Sequence, residues 1–529
     1  MQRFAALYAA LDATTKTLEK QQVLEAYLRD APPADAAWAT YFLTGRKLKR
    51  LVRSRDLRDA VLEAAGLPEW MFEACHQATG DLAETITLLL PPPDARDDRS
   101  LAAWVNDELM PLAGLSPVDV RDRLQAAWQR LEPPERFVQL KVVTGAFRVG
   151  VAKQLVYRAL ASAFDVPVAD VAQRLAGDWM PGDDFAERLR GGDGEDATLH
   201  RPYPFFLAHS LDVDPATLGE PGGWQFEWKW DGIRAQLVAR PGVAAVWSRG
   251  EELASDAFPE LVEAARTLPA GTVIDGEILV WPDASAAPDS FGALQKRLNR
   301  RTPSAKLVRE APVTLVAYDL LERDGHDVRA LPLSMRRAAL RELLETFAGP
   351  LRLSPTIAAA SWDEVSAARD DARARGAEGV MVKRLDSRYG VGRPRGAWWK
   401  WKVEPYTVDA VLVYAQPGSG RRASLFTDYT FAVWDGDALV PFAKAYSGLT
   451  NAEIARVDAW IRSHTLERFG PVRSVEPTLV FELGFEGVQA SARHKSGIAV
   501  RFPRILRWRT DKSAADADTL ATLRAMAGA

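Results

Sequence analysis

The hydrophobic period of this chain changes near Pro204, so its fold must be built from unlike parts. Up to about residue 190, apolar residues recur at helical spacing: Leu24, Tyr27 and Leu28, then Leu57, Val61 and Leu62. Asp81 to Leu90 reads as a helix stopped by Pro91-Pro92-Pro93. Val151 to Ala163, rich in Ala, Leu and Gln, reads as another. Gly177 to Pro204 reads as a linker, with the polar run Gly191 to Asp196 inside it. From Pro204 to Val403 the pattern turns to short strands at Trp224–Trp230, Ala235–Val238, Ala244–Ser248, Thr272–Trp281, Val313–Leu320 and Gly379–Lys383. Helices at Glu260–Thr267, Met335–Phe347 and Trp362–Ala374 intervene, which predicts a mostly antiparallel α+β domain. From Glu404 onward, strands recur around turns such as Pro417-Gly418-Ser419-Gly420, with one helix at Asn451–His464, and a small β-barrel is the expected result. The chain is therefore read as multidomain: an all-α region over 1–190, an α+β antiparallel-sheet domain over 204–403 and a β-barrel over 404–529. A length of 529 residues agrees with about three domains.

Composition removes several classes of function. Cys75 is the one cysteine, so an internal disulfide and a four-cysteine zinc site are both excluded. Cys75-His76 is read as plain helix sequence. No segment resembles a signal peptide, and none approaches the ~20 apolar residues of a membrane span. The cytoplasm is the expected location, with no membrane partner. The net charge of −4 argues weakly against nucleic acid, but phosphate binding depends on local basic surface. Val488 to Lys512 holds seven Lys/Arg against one acid, Asp511. Among seventeen tryptophans, Trp398, Trp399 and Trp401 interleave with Lys400 and Lys402. That run predicts cations beside aromatic faces, a buried strand with Trp on one face, or both together.

The chemistry is confined to Lys, Arg, Asp and Glu. Gly-Lys never occurs, so there is no P-loop, and no G-x-G-x-x-G opens a helix. The six histidines form no metal-spaced pair. What remains is five clusters: Glu227/Lys229/Asp231/Arg234, Arg249, Asp275/Glu277, Glu378/Lys383 and Lys400/Lys402. Such a set suits phosphoryl-group chemistry: cations neutralise phosphate oxygens, carboxylates hold Mg²⁺, and a lysine serves as nucleophile. Taken alone, Lys229-Trp230-Asp231-Gly232 is only four residues and occurs by chance, and a strand ending in an Asp-Gly turn with Lys229 solvated is the better explanation.

The ordered set is more specific. Glu227 to Arg234, Ser248-Arg249-Gly250, Asp275-Gly276-Glu277, Ala317-Tyr318-Asp319-Leu320, Glu378 to Lys383, Trp398 to Lys402, and Arg501 to Arg504 with Arg509 to Lys512 resemble, in order and spacing, the motifs of the covalent nucleotidyltransferases. Among these they resemble the ATP-dependent DNA ligases, over about Pro204 to Lys512. Phe147 to Ala152 resembles part of the helical DNA-binding domain of larger ligases. The resemblance implies a helical DNA-binding domain, an adenylation domain and a C-terminal OB-fold. It implies ATP and Mg²⁺ as cofactors, Mn²⁺ being an alternative, with nicked double-stranded DNA as partner and a monomeric enzyme.

Roles follow from the resemblance. Lys229 would attack the ATP α-phosphorus and hold AMP, once nearby cations and metal had favoured loss of its proton. Glu227 would accept from the adenine amino group, and Tyr318, where most relatives carry Phe, would stack on the base. Glu277 and Glu378 would serve the ribose and the divalent metal. Lys400 and Lys402 would grip the α-phosphate. Arg234 and Arg249 would bind ATP phosphates or the nick 5′-phosphate. Asp231 would orient Lys229 and later assist the 3′-hydroxyl. Arg509, Asp511 and Lys512 would orient the leaving pyrophosphate. The pattern departs from the family at Pro394, where relatives carry an ATP-contacting Arg; Arg393 and Arg395 flank it. A capping guanylyltransferase, an RNA ligase and a catalytically silent nucleic-acid scaffold are the rivals. Glu227, the long helical region and the Arg-x-Asp-Lys ending favour the DNA ligase.

Overall fold

The computed structural model describes residues 1–529 apart from 49–50, 178, 192–198, 200, 283–286, 299–301, 419–421 and 527–529. Most of the Gly191–Asp196 run, and Ser419-Gly420 of the expected turn, lie outside the described residues. The chain divides into two compact units. One comprises Met1–Tyr8, Lys47–Phe147 and Glu404–Ala529; the other comprises Ala9–Arg46 and Arg148–Val403.

Every element described before Pro204 is a helix. The helical spacings hold: Leu24, Tyr27 and Leu28 are buried along Thr17–Asp30, and Leu57 and Val61 along Ser54–Ala65. Leu82–Leu89 starts where Asp81 accepts a bond from the Glu84 amide at 3.0 Å, and it ends before the prolines. Cys75 lies in the helix Glu69–Thr79, as expected.

Two facing sheets build the second unit beyond Tyr203. One runs His209–Ser210, Trp398–Lys402, Ala377–Arg384, Trp224–Trp230 and Thr356–Ile357 in spatial order. The other centres on Ile233–Arg240, Thr272–Val280 and Val313–Arg323, flanked by Val243–Ser248 and by two short strands. Pairing is antiparallel except where His209–Ser210 and Leu351–Leu353 join in parallel. Leu237, Ile274, Ile278, Leu315 and Leu320 form the second sheet's core beneath the Pro259–Thr267 and Leu333–Glu345 helices. Helices at Phe291–Leu298 and Ala305–Glu310 went unread in the sequence.

Beyond Glu404, seven strands form one sheet in which Tyr406–Pro417 is central, pairing with Phe426–Asp435, Val472–Val475 and Val480–Phe485. Phe431, Phe481, Leu483 and Phe485 fill its core. Val457 and Ile461 of Asn451–Ser463 pack there, a helix begun by a Thr450/Glu453 capping box. So do Leu520 and Leu523 of a final helix, Leu520–Met526, which the sequence reading did not anticipate.

Candidate active site

Strand alternation assembles the pocket floor. Gln225, Glu227 and Lys229 fall on one face of Trp224–Trp230, opposite Phe226 and Trp228. Register then places Met381 beside Glu227 and Lys383 beside Gln225. On the next strand it places Lys400 beside Met381, and Trp398 beside Lys383. Three strands thus carry Lys229, Lys383, Lys400, Lys402 and Glu227 on the same face. Trp399 and Trp401 pack on the other face with Val380 and Val382. The expected strand with Trp on one face is therefore corrected: Trp398 sides with the lysines. Lys383 Nζ lies 4.5 Å from the Trp398 ring centre, and Arg369 lies 4.6 Å from that of Trp401.

Glu378 reaches this face through an irregularity. Simple alternation would turn it away, but the register slips between Ala377 and Val380. Gly379 permits the slip. Its φ is +145°, and a Cβ there would lie 2.2 Å from the Trp401 carbonyl oxygen. The carboxylate of Glu378 then accepts from Lys229 Nζ at 2.5 Å and pairs with Lys402 Nζ at 3.2 Å. Burial alone would raise its pKa; the two ammonium groups outweigh it and hold it at about 2. Glu227 and Lys383 form a second pair at 3.0 Å, each 1% exposed, and Gln225 donates to the other Glu227 oxygen. Lys400 is pushed down by burial, with Arg393, Lys229 and Lys402 adding to the effect.

The facing sheet contributes Arg234, Asp275, Glu277 and Tyr318. Glu277 sits beside Arg234 in register. Burial pushes its carboxyl up to about 7 against the pull of Lys229 and Arg234. Tyr318 lies with its ring centre 4.4 Å from Lys383 Nζ, which joins the two faces. Gly232, after Asp231, is another required glycine: a Cβ would meet the Ile278 carbonyl oxygen at 2.3 Å.

Arg234 was expected to bind phosphate. Its Nε and Nη2 donate to Asp275 at 3.1 and 2.6 Å, Nη2 also to the Tyr389 hydroxyl at 3.3 Å, and Nη1 to the Phe206 carbonyl at 2.6 Å. Four of its five N–H groups are thus engaged in this structure. Asp275, Tyr389, Gln225 and Lys383 are site residues to which the sequence reading gave no role; apart from the motif positions of Asp275 and Lys383, their signal was register, which one sequence does not display. Arg249 lies exposed at the end of Val243–Ser248. Arg509 and Lys512 belong to the other unit. There Arg509 Nη1 donates to both Asp409 oxygens, at 3.1 and 2.9 Å, and Lys512 Nζ to one at 2.5 Å. Asp511 accepts from Arg509 at 2.9 and 2.7 Å, and its pKa is driven well down.

Among the described residues, no three His, Cys, Asp or Glu side chains gather as a metal cage. Mg²⁺ does not need one, since it is commonly held by one or two carboxylates together with substrate phosphates. Glu277 and Glu378 flanking the lysines fit that requirement. No helix described here is long and apolar enough to cross a membrane.

A half-buried lysine paired with a carboxylate and set among further lysines, on paired antiparallel sheets, is the arrangement of a nucleotidyltransferase domain. The comparisons narrow the class. Residues 206–402 match the ATP dependent DNA ligase domain, 1–161 the DNA ligase N terminus and 422–512 the ATP dependent DNA ligase C terminal region. A probable DNA ligase of Koribacter versatilis (strain Ellin345) is 34% identical, covering 98% of this chain and 95% of the relative. A DNA ligase of Thermococcus fumicolans is 28% identical over 99% and 97%. The solved structure titled Pmar-Lig_PreS3 shares the fold, with a TM-score of 0.61 at 15% identity over 96% of this chain and 99% of that one. The chain belongs to the ATP-dependent DNA ligases, enzymes that seal nicks through an adenylate intermediate.

Proposed function

We propose that Lys229 is the adenylated residue of this ligase, and that the three-strand face around it is the ATP site. The observation that carries the reading is the convergence of Lys229, Lys400 and Lys402 with Glu378 on one face. In the first step the Lys229 amine attacks the α-phosphorus; a P–N bond forms, the α–β bridging oxygen leaves with pyrophosphate, and the proton lost from nitrogen passes to solvent. Glu378, whose carboxylate accepts from Lys229 Nζ, orients the amine. Lys400 and Lys402 neutralise the α-phosphate. Glu227 faces the adenine amino group and Tyr318 the ring. Glu277 and Glu378 hold Mg²⁺, or Mn²⁺ in its place; when bound, the metal neutralises phosphate charge.

AMP then passes to a nick 5′-phosphate, and the 3′-hydroxyl displaces it, with Asp231 assisting. Arg249, exposed at a strand end, receives the 5′-phosphate. Arg234, committed to Asp275, Tyr389 and the Phe206 carbonyl, braces the facing sheet. Arg393 stands in for the family arginine at Pro394, because it is the flanking arginine whose charge is felt at Lys400. Arg509, Asp511 and Lys512 orient pyrophosphate, which requires Arg509 and Lys512 to exchange Asp409 for phosphate. Residues 1–190 serve as a helical DNA-binding domain, 204–403 as the adenylation domain and 404–529 as an OB-fold β-barrel; the all-helical start and the seven-stranded sheet support this. The enzyme acts as a monomer in the cytoplasm on nicked duplex DNA.

Sealing of a nicked DNA duplex with ATP, compared with GTP and with nicked RNA, tests the assignment. Activity on DNA with ATP is expected. Charging by GTP, or sealing of RNA alone, would contradict it.

A further inference from the structure

The turn that carries Arg249 is held by a residue outside the assigned site. After Val243–Ser248 the chain reverses tightly: Glu251 N donates to Ser248 O at 2.8 Å, Ser248 N to Glu252 O at 2.9 Å, and Arg249 N to Arg234 O at 2.9 Å. Glu251 has φ +61°, a left-handed conformation that side chains with a Cβ disfavour. Strain of this kind persists where the surroundings over-determine it, and it concentrates at functional sites. Glu251 is also buried, and its carboxylate lies 2.6 Å from Lys153 Nζ. Lys153 opens the Lys153–Phe164 helix, which is fixed in place by buried Leu155, Val156 and Leu160. Burial pushes the Lys153 amine down while Glu251 opposes that shift; the Glu251 side chain is 10% exposed and that of Lys153 35%. The base of Arg249 is thus fixed on one side by the sheet, through Arg234 O, and on the other by the Glu251 corner.

We propose that Glu251, anchored by Lys153, is a positioning residue that aims Arg249 at the 5′-phosphate of the nick. The inference rests on the reading of Arg249 given above. It makes the helix preceding the adenylation domain part of nick recognition, and not only of stability. A guanidinium that engages a phosphate with two donors needs its direction set before contact.

The test uses the full chain with Lys153→Met and Glu251→Gly together. This removes both charges, so no buried group is orphaned, and it gives the turn a residue free to adopt φ +61°. The double variant is expected to melt no lower than the parent. Its apparent KM for a nicked duplex should rise roughly tenfold, while the rate of lysyl-AMP formation from ATP is retained. Arg249→Ala should raise the KM for the nicked duplex at least as much, and adding it to the double variant should cause no further rise. Parental KM in the double variant, or additive losses on combination, overturns the proposal. Equal losses in adenylation and sealing also overturn it, since they report general damage. Unaltered sealing by Arg249→Ala refutes the reading of Arg249 itself, and the positioning role with it.

Discussion

Glu277→Gln isolates the electrostatic cost of the pocket. Glu277 titrates near 7 in the folded chain against an ordinary 4.5, chiefly because burial penalises its charge. Between those values the native state holds a proton that the unfolded state has lost. Stability therefore falls as pH rises through that window. The difference of 2.5 units, at 1.36 kcal/mol each, caps the loss at about 3 kcal/mol above pH 7. An amide keeps the shape and never ionises. In chelator-treated, nucleotide-free buffer, Glu277→Gln should match the parent near pH 4.5 and gain steadily to pH 7, reaching at most about 3 kcal/mol. Unfolding midpoints followed against pH for both proteins read this directly, because titrations remote from Glu277 cancel in the difference. A constant difference across the window, or one that grows toward acid, would refute the reasoning. Mg²⁺ should narrow the gap at neutral pH if Glu277 is a ligand.

Other perturbations probe the neighbouring contacts. Lys383→Met strands the Glu227 carboxylate at 1% exposure and should destabilise the domain by about 3 kcal/mol, whereas Glu227→Gln with Lys383→Met should recover most of the loss in denaturant titrations. Gly379→Ala must displace the Trp401 carbonyl, so lysyl-AMP formation should collapse; unimpaired labelling would show that the Glu378 bulge is unnecessary. Sealing of any nick sequence should weaken steeply with added salt, since the contacts are to phosphates; a flat response from low to moderate salt would argue against them.

The sequence displayed some of this and hid the rest for identifiable reasons. The strand Trp224–Trp230 was read with its observed ends, because its apolar and polar residues alternate and an Asp-Gly turn closes it. Glu378 was read as a functional carboxylate, but its approach to Lys229 depends on a bulge at Gly379 that alternation does not encode. Arg234 looked like a phosphate ligand, because its partner Asp275 lies 41 residues away and becomes a neighbour only through sheet pairing. Trp398 was grouped with Trp399 and Trp401, yet strand geometry sends it to the opposite face. Asp409 drew no notice, since a lone acid in an apolar strand does not reveal that it gathers Arg509 and Lys512. Local periodicity is written along the chain; register is a property of pairs.

Lys229 is the centre of the account, and label transfer tests it most directly. The full chain incubated with α-labelled ATP and Mg²⁺ should retain label through denaturation, in an acid-labile bond characteristic of a phosphoramidate. Lys229→Ala should retain none, while still sealing a nick supplied already adenylated at its 5′-phosphate. Undiminished label in Lys229→Ala would contradict the assignment of the nucleophile and, with it, the site built around that lysine.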